Sequence, residues 1–158
     1  MSSTVAILSV CAVVGSGLMG GLLFAFSNFV MRALRALPPE SAAAAMREVN
    51  VRILNPLFVV LFLGTAVVCV VLTWFVVGGA AGAAGPWLVA GSAAYLAGPL
   101  GVTMAFNVPL NNRLAAGPIA AAAAFWPAYA LSWTRWNHVR ALLAAMAAAL
   151  LGVGLVRL

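Results

Sequence analysis

Residues 56–77 read PLFVVLFLGTAVVCVVLTWFVV, a stretch without a charged side chain whose main polar groups are Thr65 and Thr73. A helix needs about 20 apolar residues to cross the hydrocarbon core of a bilayer, and this stretch has that length. The preceding Asn55-Pro56 pair supplies an N-cap residue and a proline at the first helical position. The stretch therefore predicts a transmembrane helix, and it decides the fold class of the chain.

The chain as a whole has a similar composition. Of its 158 residues, 66% are hydrophobic and 6% are charged, and the mean hydropathy is +1.16. Soluble domains carry about a quarter charged residues, so the composition is typical of a membrane protein. Three further apolar runs reach spanning length, at about residues 4–29, 86–106 and 136–156. Residue type and spacing predict two more helices, at about 40–54 and 119–133.

These elements predict the architecture. We expect an all-α integral membrane protein with one domain over residues 1–158. Its core is predicted to be a four-transmembrane-helix bundle, and the two long loops, each with an extra short helix, lie on one membrane face. The short connection near 78–85 is uncharged, so the spans on either side of it are expected to be antiparallel neighbours.

The charges predict how the bundle is oriented. The net charge of +6 arises from eight arginines and two glutamates, and lysine and aspartate are absent from the sequence. The long loops hold most of the arginines, at Arg32, Arg35, Arg47, Arg52, Arg113 and Arg135. The positive-inside rule then predicts cytoplasmic long loops, with the N- and C-termini outside. A nucleic-acid partner is not expected, because no basic face with interleaved aromatics lies outside the spans. Abundant alanine and arginine without lysine indicate a GC-rich bacterial genome, and hence the bacterial cytoplasmic (inner) membrane.

Small residues and prolines predict local features of the spans. Two overlapping pairs of small residues lie in the first span, Ser16 with Gly20 and Gly17 with Gly21. Such pairs allow another helix to approach closely, within the bundle or from a second copy in a homo-oligomer. Gly98-Pro99 predicts a kink in the third span. Val108 precedes a proline and is expected to leave the helical conformation, which places Asn107 at or just past the helix end.

The reactive side chains in the sequence exclude several classes of function. One histidine, two cysteines and two glutamates in a single loop helix cannot supply the usual three or four ligands of a metal site. A Ser-His-Asp triad has no aspartate available. The four predicted spans contain no carboxylate, which argues against a proton-driven transporter. We therefore expect no metal and no cofactor, although His138 as a single axial haem ligand stays open.

The chemistry that remains is concentrated near one membrane face. Residues 133–140 read WTRWNHVR and hold the only histidine of the chain. Further polar or aromatic residues near the same face are Asn28, Asn50, Asn55, Asn107, Asn111, Trp133, Trp136, Asn137, His138 and Arg140. Each of these has a plain structural interpretation as a helix cap, an interfacial tryptophan or a snorkelling arginine. Together, converging on one end of an apolar bundle, they predict a binding site.

Four of these motifs carry a family resemblance: FAFSNF at 24–29, Asn50 followed by LNP at 54–56, FNVPLN at 106–111, and WTRWNHVR at 133–140. With them the chain resembles the anthrone oxygenase family over nearly its whole length. The resemblance implies a small four-helix membrane protein. It also implies oxidation of an anthrone- or hydroquinone-type aromatic to a quinone with molecular oxygen and without a cofactor.

The residues suggest a mechanism for such a reaction. His138 is the one side chain that commonly acts as a base near neutral pH. Arg140, or the amides of Asn107, Asn111 and Asn137, could hold a developing oxyanion. Trp133 and Trp136 could stack on the aromatic rings.

Two kinds of role are expected for these residues. We predict catalytic roles for His138, Arg140 and Asn137, and substrate binding by the two tryptophans and the remaining asparagines. The expected partners are the lipid bilayer, an apolar aromatic small molecule and O₂. Two alternatives stay open: a non-catalytic membrane binding or assembly protein, and a haem-binding membrane protein that uses His138.

Overall fold

The structure, a computed structural model, describes residues 3–158 and is helical almost throughout. Helix α1 (Ser3–Ala25) continues through a π turn (Phe26–Val30) into α2 (Met31–Arg35). Next come α3 (Pro39–Arg52) and α4 (Pro56–Val77). A 3₁₀ turn (Gly82–Ala84) leads into α5 (Gly85–Tyr95), a π-helical segment (Leu96–Asn107) and α6 (Val108–Ala115). The chain ends in α7 (Ile119–Val156).

Within the described residues, four continuous helical segments are long and apolar enough to cross a membrane, namely Ser3–Arg35, Pro56–Val77, Gly82–Ala115 and Ile119–Val156. They form a ring in which α1 packs between α4 and α7, and α5 packs between the same two helices. The prediction of an all-helical, four-helix membrane bundle is confirmed. The chain is thus a multi-pass membrane protein.

Several helices run further than the sequence predicted. The expected first span, 4–29, continues to Arg35, because the π turn carries the helix past the polar residues at 27 and 28. The expected loop helix 119–133 and span 136–156 are one helix of 38 residues, α7. Nothing between them breaks a helix, and Pro127 is accommodated inside it, as prolines often are in membrane helices.

The third span also continues beyond its predicted end at residue 106. Val108 was expected to leave the helical conformation, and this was wrong: its φ is −63° and its ψ is −48°. The π-helical segment ends with the Val108 N–H bonded to the carbonyl oxygen of Thr103, and Pro109 follows directly in the first turn of α6. At Gly98-Pro99 the structure has the π-helical segment Leu96–Asn107, since a proline removes one of the i→i−4 hydrogen bonds, and the predicted kink stays a prediction.

The core has two parts. The first lies between the four spans and includes Met19, Leu72, Leu88, Tyr95 and Leu151, all at most 1% exposed. Glycine allows close helix approach there: a Cβ added to Gly91 of α5 would lie 2.7 Å from the side chain of Leu151 on α7.

The second part of the core lies at the arginine-rich end. There α2, α3 and α6 surround the first half of α7, with Met46, Leu114 and Tyr129 fully buried. At 1.5 Å per residue α7 is about 57 Å long, about twice the hydrocarbon thickness of a bilayer, so this end projects beyond the apolar layer.

Two arginines stabilise this projecting end. Arg35 donates to the carbonyl oxygen of Ala130 at 2.6 Å and to the hydroxyl of Thr134 at 3.1 Å. Arg47 donates from Nε to the carbonyl oxygen of Leu114 at 2.8 Å, and its Nη2 contacts two carbonyls of the following turn. That turn contains Gly117 at φ +75°, a conformation that favours glycine. These arginines therefore hold the loops in place in addition to setting the charge of this face.

Candidate functional site

An elongated groove of about 780 Å³ lies between α1 and α7 on the outer face of the bundle. One part of it is apolar and is lined by glycines of α1 and by alanines of α7, among them Ala141 and Ala145. The polar part is lined by Ser27, Asn28, Arg32 and His138. We call this feature the α1–α7 groove. Both helices belong to segments long and apolar enough to span a membrane.

Glycines create the apolar part of the groove. A Cβ added to Gly17 or Gly21 would have no atom within 4 Å, so these two residues are not packed against another helix. The other predicted pair behaves differently. Ser16 is fully buried, and a Cβ on Gly20 would contact Ala144 of α7 at 3.5 Å. One pair is thus buried, with Gly20 in the α1–α7 contact, whereas the other faces open space.

Behind the groove lies a buried hydrogen-bonded chain, which we call the Arg140 network. Arg140 donates from Nη2 to Asn137 Oδ1 at 2.6 Å and from Nη1 to Thr103 Oγ1 at 3.0 Å. The amide nitrogen of Asn137 in turn donates to Ser27 Oγ and to the carbonyl oxygen of Leu23, both at 2.7 Å. Asn137 is 0% exposed and Arg140 is 6% exposed. Through Ser27 the network reaches the polar part of the groove.

Three buried polar atoms near this network have no partner among residues 3–158. They are Asn107 Oδ1, Trp133 Nε1 and Arg140 Nε. Asn107 donates from its amide nitrogen to the carbonyl oxygen of Trp133 at 3.3 Å, and the Arg140 guanidinium lies 5.0 Å from the centre of the Trp133 ring. Buried polar atoms are normally hydrogen-bonded, so these three are exceptions within the described part of the chain.

A further polar contact lies towards the projecting end. The Tyr129 hydroxyl donates to Asn111 Oδ1 at 2.8 Å, and Asn50 of α3 lies beside the same hydroxyl. Tyr129 is fully buried and lies two turns before Asn137 on the interior face of α7.

The predicted site residues therefore fall into separate places. Asn107, Trp133, Asn137 and Arg140 come together in the interior, and Asn50 and Asn111 meet at Tyr129. His138 and Asn28 lie in the groove. The two remaining residues join none of these groups. Asn55 caps α4 by accepting from the backbone N–H of Phe58 at 3.1 Å, and Trp136 stacks on Phe106 with ring centres 3.6 Å apart.

Four polar residues of these groups were not among the predicted site residues, namely Arg32, Tyr129, Ser27 and Thr103. Tyr129 continues the interior line of α7 at helical spacing from Trp133 and Asn137, and that spacing could have identified it. Ser27 and Thr103 are isolated hydroxyl residues in apolar segments, and only the packing of α7 against the π segments shows their role. Among the described residues, no group of three or more histidine, cysteine or acidic side chains lies close enough to hold a metal ion.

The fold and the two polar regions define a class: a small multi-pass membrane protein with an open groove between two spans, backed by a buried arginine network. The family model for anthrone oxygenase matches residues 57–150, more than half of the chain. The chain belongs to the anthrone oxygenase family, as the sequence motifs predicted. The match begins at the second span, so Ser27 and Asn28 lie outside it. No curated protein and no solved structure matches the chain.

Proposed function

We propose that the protein is a membrane-embedded oxygenase that holds a flat, apolar aromatic in the α1–α7 groove and oxidises it with O₂ to a quinone. The observation that carries the proposal is the position of His138, a base in the polar part of a groove whose other lining residues are glycines, alanines, Phe24 and Leu142. Family membership supports the reaction type, and the apolar lining of the groove supports an apolar substrate.

The chemistry follows from the properties of such a substrate. The methylene carbon opposite the carbonyl of an anthrone is acidic, and its deprotonation gives an electron-rich enolate. In the proposal His138 accepts that proton. The enolate carbon then forms a bond to O₂, and protonation gives a hydroperoxide. The second methylene hydrogen then leaves as a proton while the O–O bond breaks and hydroxide departs, which gives the new carbonyl and, from the proton and the hydroxide, one water. The methylene is oxidised, one oxygen atom is retained and the other leaves as water.

The groove contributes binding and orientation. Apolar rings placed against Gly17 and Gly21 would be removed from both water and lipid headgroups, and Arg32 and Asn28 lie at the polar part beside His138. Holding the acidic carbon near the imidazole lowers the entropic part of the barrier. The proposed reaction uses the electron density of the substrate itself, so it requires no bound cofactor.

The orientation proposed for the protein follows from its arginines. The projecting end carries Arg32, Arg35, Arg47, Arg52, Arg113 and Arg135. On the positive-inside rule this end lies in the cytoplasm of a bacterium and both termini lie outside. The polar part of the groove would then open near the cytoplasmic face of the inner membrane.

The test is oxygen uptake by the purified protein in detergent with a panel of anthrones and hydroquinones. We expect substrate-dependent uptake that falls by roughly 100-fold or more in His138→Ala, the usual range for loss of a general base. Full uptake in that variant would show that His138 is not the base. Absence of uptake with every substrate, together with a Soret band in the spectrum, would favour the haem-binding alternative.

The groove itself is tested with a matched pair of glycine variants. Gly21→Leu fills the apolar part, and we expect it to abolish binding of the aromatic. Gly152→Leu adds the same side chain at a position that is equally open but does not line the groove, and it should bind the aromatic normally. Equal binding by the two variants would place the substrate elsewhere.

A further inference from the structure

Arg140 is a buried cation without a carboxylate partner. The two glutamates of the chain, Glu40 and Glu48, both lie on α3 and are exposed, and Glu48 pairs with Arg52 at 2.9 Å. The hydrogen bonds of Arg140 go to neutral groups, Asn137 and Thr103. A buried charge of this kind is costly unless negative charge is brought near it. A ligand that becomes negative during a reaction would provide that charge.

The direction of the hydrogen bonds leads from Arg140 to the groove. The guanidinium fixes the Asn137 amide with its oxygen towards Arg140 and its nitrogen towards α1. Both hydrogens of that nitrogen are used, on Ser27 Oγ and on the carbonyl oxygen of Leu23. Hydrogen bonds arranged in series polarise one another, so the positive charge of Arg140 strengthens the donor character at the end of the chain.

Ser27 is that end. Its oxygen accepts from Asn137, which leaves the hydroxyl hydrogen for a second partner. Ser27 is half-buried, and it lines the groove together with His138. It also lies in the π turn Phe26–Val30, and single π turns inside α-helices are frequent at functional sites.

The geometry points to Ser27 as a catalytic residue whose hydroxyl donates a hydrogen bond to the carbonyl oxygen of an aromatic ketone in the α1–α7 groove. Asn137 and Arg140 act through it as positioning residues. When His138 removes the proton from carbon, negative charge moves to the carbonyl oxygen. The hydrogen bond from Ser27 to that oxygen then strengthens, and no proton is transferred from Ser27. This inference rests on the proposed function, and it narrows the substrate to aromatics that carry a ketone or enol oxygen.

The experiment uses a phenolic probe that O₂ does not consume under the assay conditions. 2-Naphthol ionises to a naphtholate, which mimics an aromatic oxyanion, and its absorbance reports the pKa of the bound molecule. We expect the wild-type protein in detergent to bind the naphtholate at least tenfold more tightly than the neutral form, so that the bound pKa is lowered. Ser27→Ala and Arg140→Gln should both remove this preference, and Arg140→Lys should restore part of it. Oxygen uptake by Ser27→Ala should fall roughly 100-fold.

Ser16→Ala is the matched control, because Ser16 lies on the same helix and has a buried hydroxyl without a partner among residues 3–158. It should leave the bound pKa of 2-naphthol unchanged. If the wild type and Ser27→Ala bind the naphtholate equally well, and Gly21→Leu still prevents binding, the role of Ser27 is overturned and the groove remains the site. If Gly21→Leu binds 2-naphthol normally, the groove assignment fails, and both proposals fail with it.

Discussion

Asn137 and His138 are neighbours in sequence, yet they lie in two different regions of the molecule. Asn137 is fully buried and uses its whole amide in the Arg140 network, whereas His138 is exposed in the α1–α7 groove. One residue of a helix turns the side chain by about 100°, which is enough to move from the interior face to the groove face of α7. The comparison shows that one short motif can place a buried arginine network and an exposed imidazole on different faces of the same helix.

The two regions also differ in how they depend on the fold. The network joins α1, α7 and the π segment between α5 and α6, so its geometry exists only in the assembled bundle. The groove is a space left open between two helices, and Gly17, Gly21 and His138, which line it, are exposed. We therefore expect substitutions in the network to lower the free energy of unfolding strongly. Substitutions in the groove should lower activity and change the free energy of unfolding little.

The largest effect on stability is expected for Asn137→Leu. Leucine has a similar volume but removes three hydrogen bonds and leaves the Arg140 guanidinium with an unpaired buried N–H. We expect a loss of about 3 kcal/mol in the free energy of unfolding, measured by denaturant titration in mixed micelles. His138→Leu, one residue away, should change it by no more than about 0.5 kcal/mol, as at other exposed positions. Equal losses in the two variants would contradict the division between the two faces of α7.

A smaller effect is expected at the glycines that bring α5 and α7 together. Gly91→Ala places a methyl group 2.7 Å from the Leu151 side chain and 2.9 Å from its backbone nitrogen, so one helix must move. We expect a loss of about 1–3 kcal/mol, the usual cost of overpacking. Gly21→Ala adds the same group to the open groove and should leave stability unchanged or slightly improved. The same titration in mixed micelles measures both, and a loss in Gly21→Ala would show that the groove is closed in solution.

These contrasts indicate which properties the sequence could predict. The helix Pro56–Val77 was predictable to the residue, because Asn55-Pro56 defines its start and nothing inside interrupts it. The continuous α7 was not, because the polar residues 133–140 resemble a membrane boundary, whereas they occupy the interior and groove faces of one helix. Hydropathy detects where a helix is apolar, but it does not detect where the helix ends.

The candidate site shows the same limit. The set of polar residues near one end of the bundle was predictable from composition, and the interior group around Trp133 and Arg140 did come together. That His138 lies apart from this group depends on which helix packs against each face of α7, and this is long-range information. Gly17 and Gly20 belong to the two overlapping pairs of small residues, and the same packing leaves Gly17 open while Gly20 contacts α7.

The smallest effect is expected for an exposed ion pair, which sharpens the contrast with the buried arginine. Glu48 and Arg52 lie one turn apart on α3 at 2.9 Å, with side chains 65% and 82% exposed. Water and salt screen such a pair, so Glu48→Gln should cost at most about 0.5 kcal/mol, and this difference should disappear in high salt. The cost of Asn137→Leu should persist in high salt, because mobile ions cannot reach a guanidinium that is 6% exposed. Unfolding titrations of both variants at low and high salt measure this, and a salt-sensitive loss in Asn137→Leu would mean that Arg140 is hydrated and unable to act as a buried charge behind Ser27.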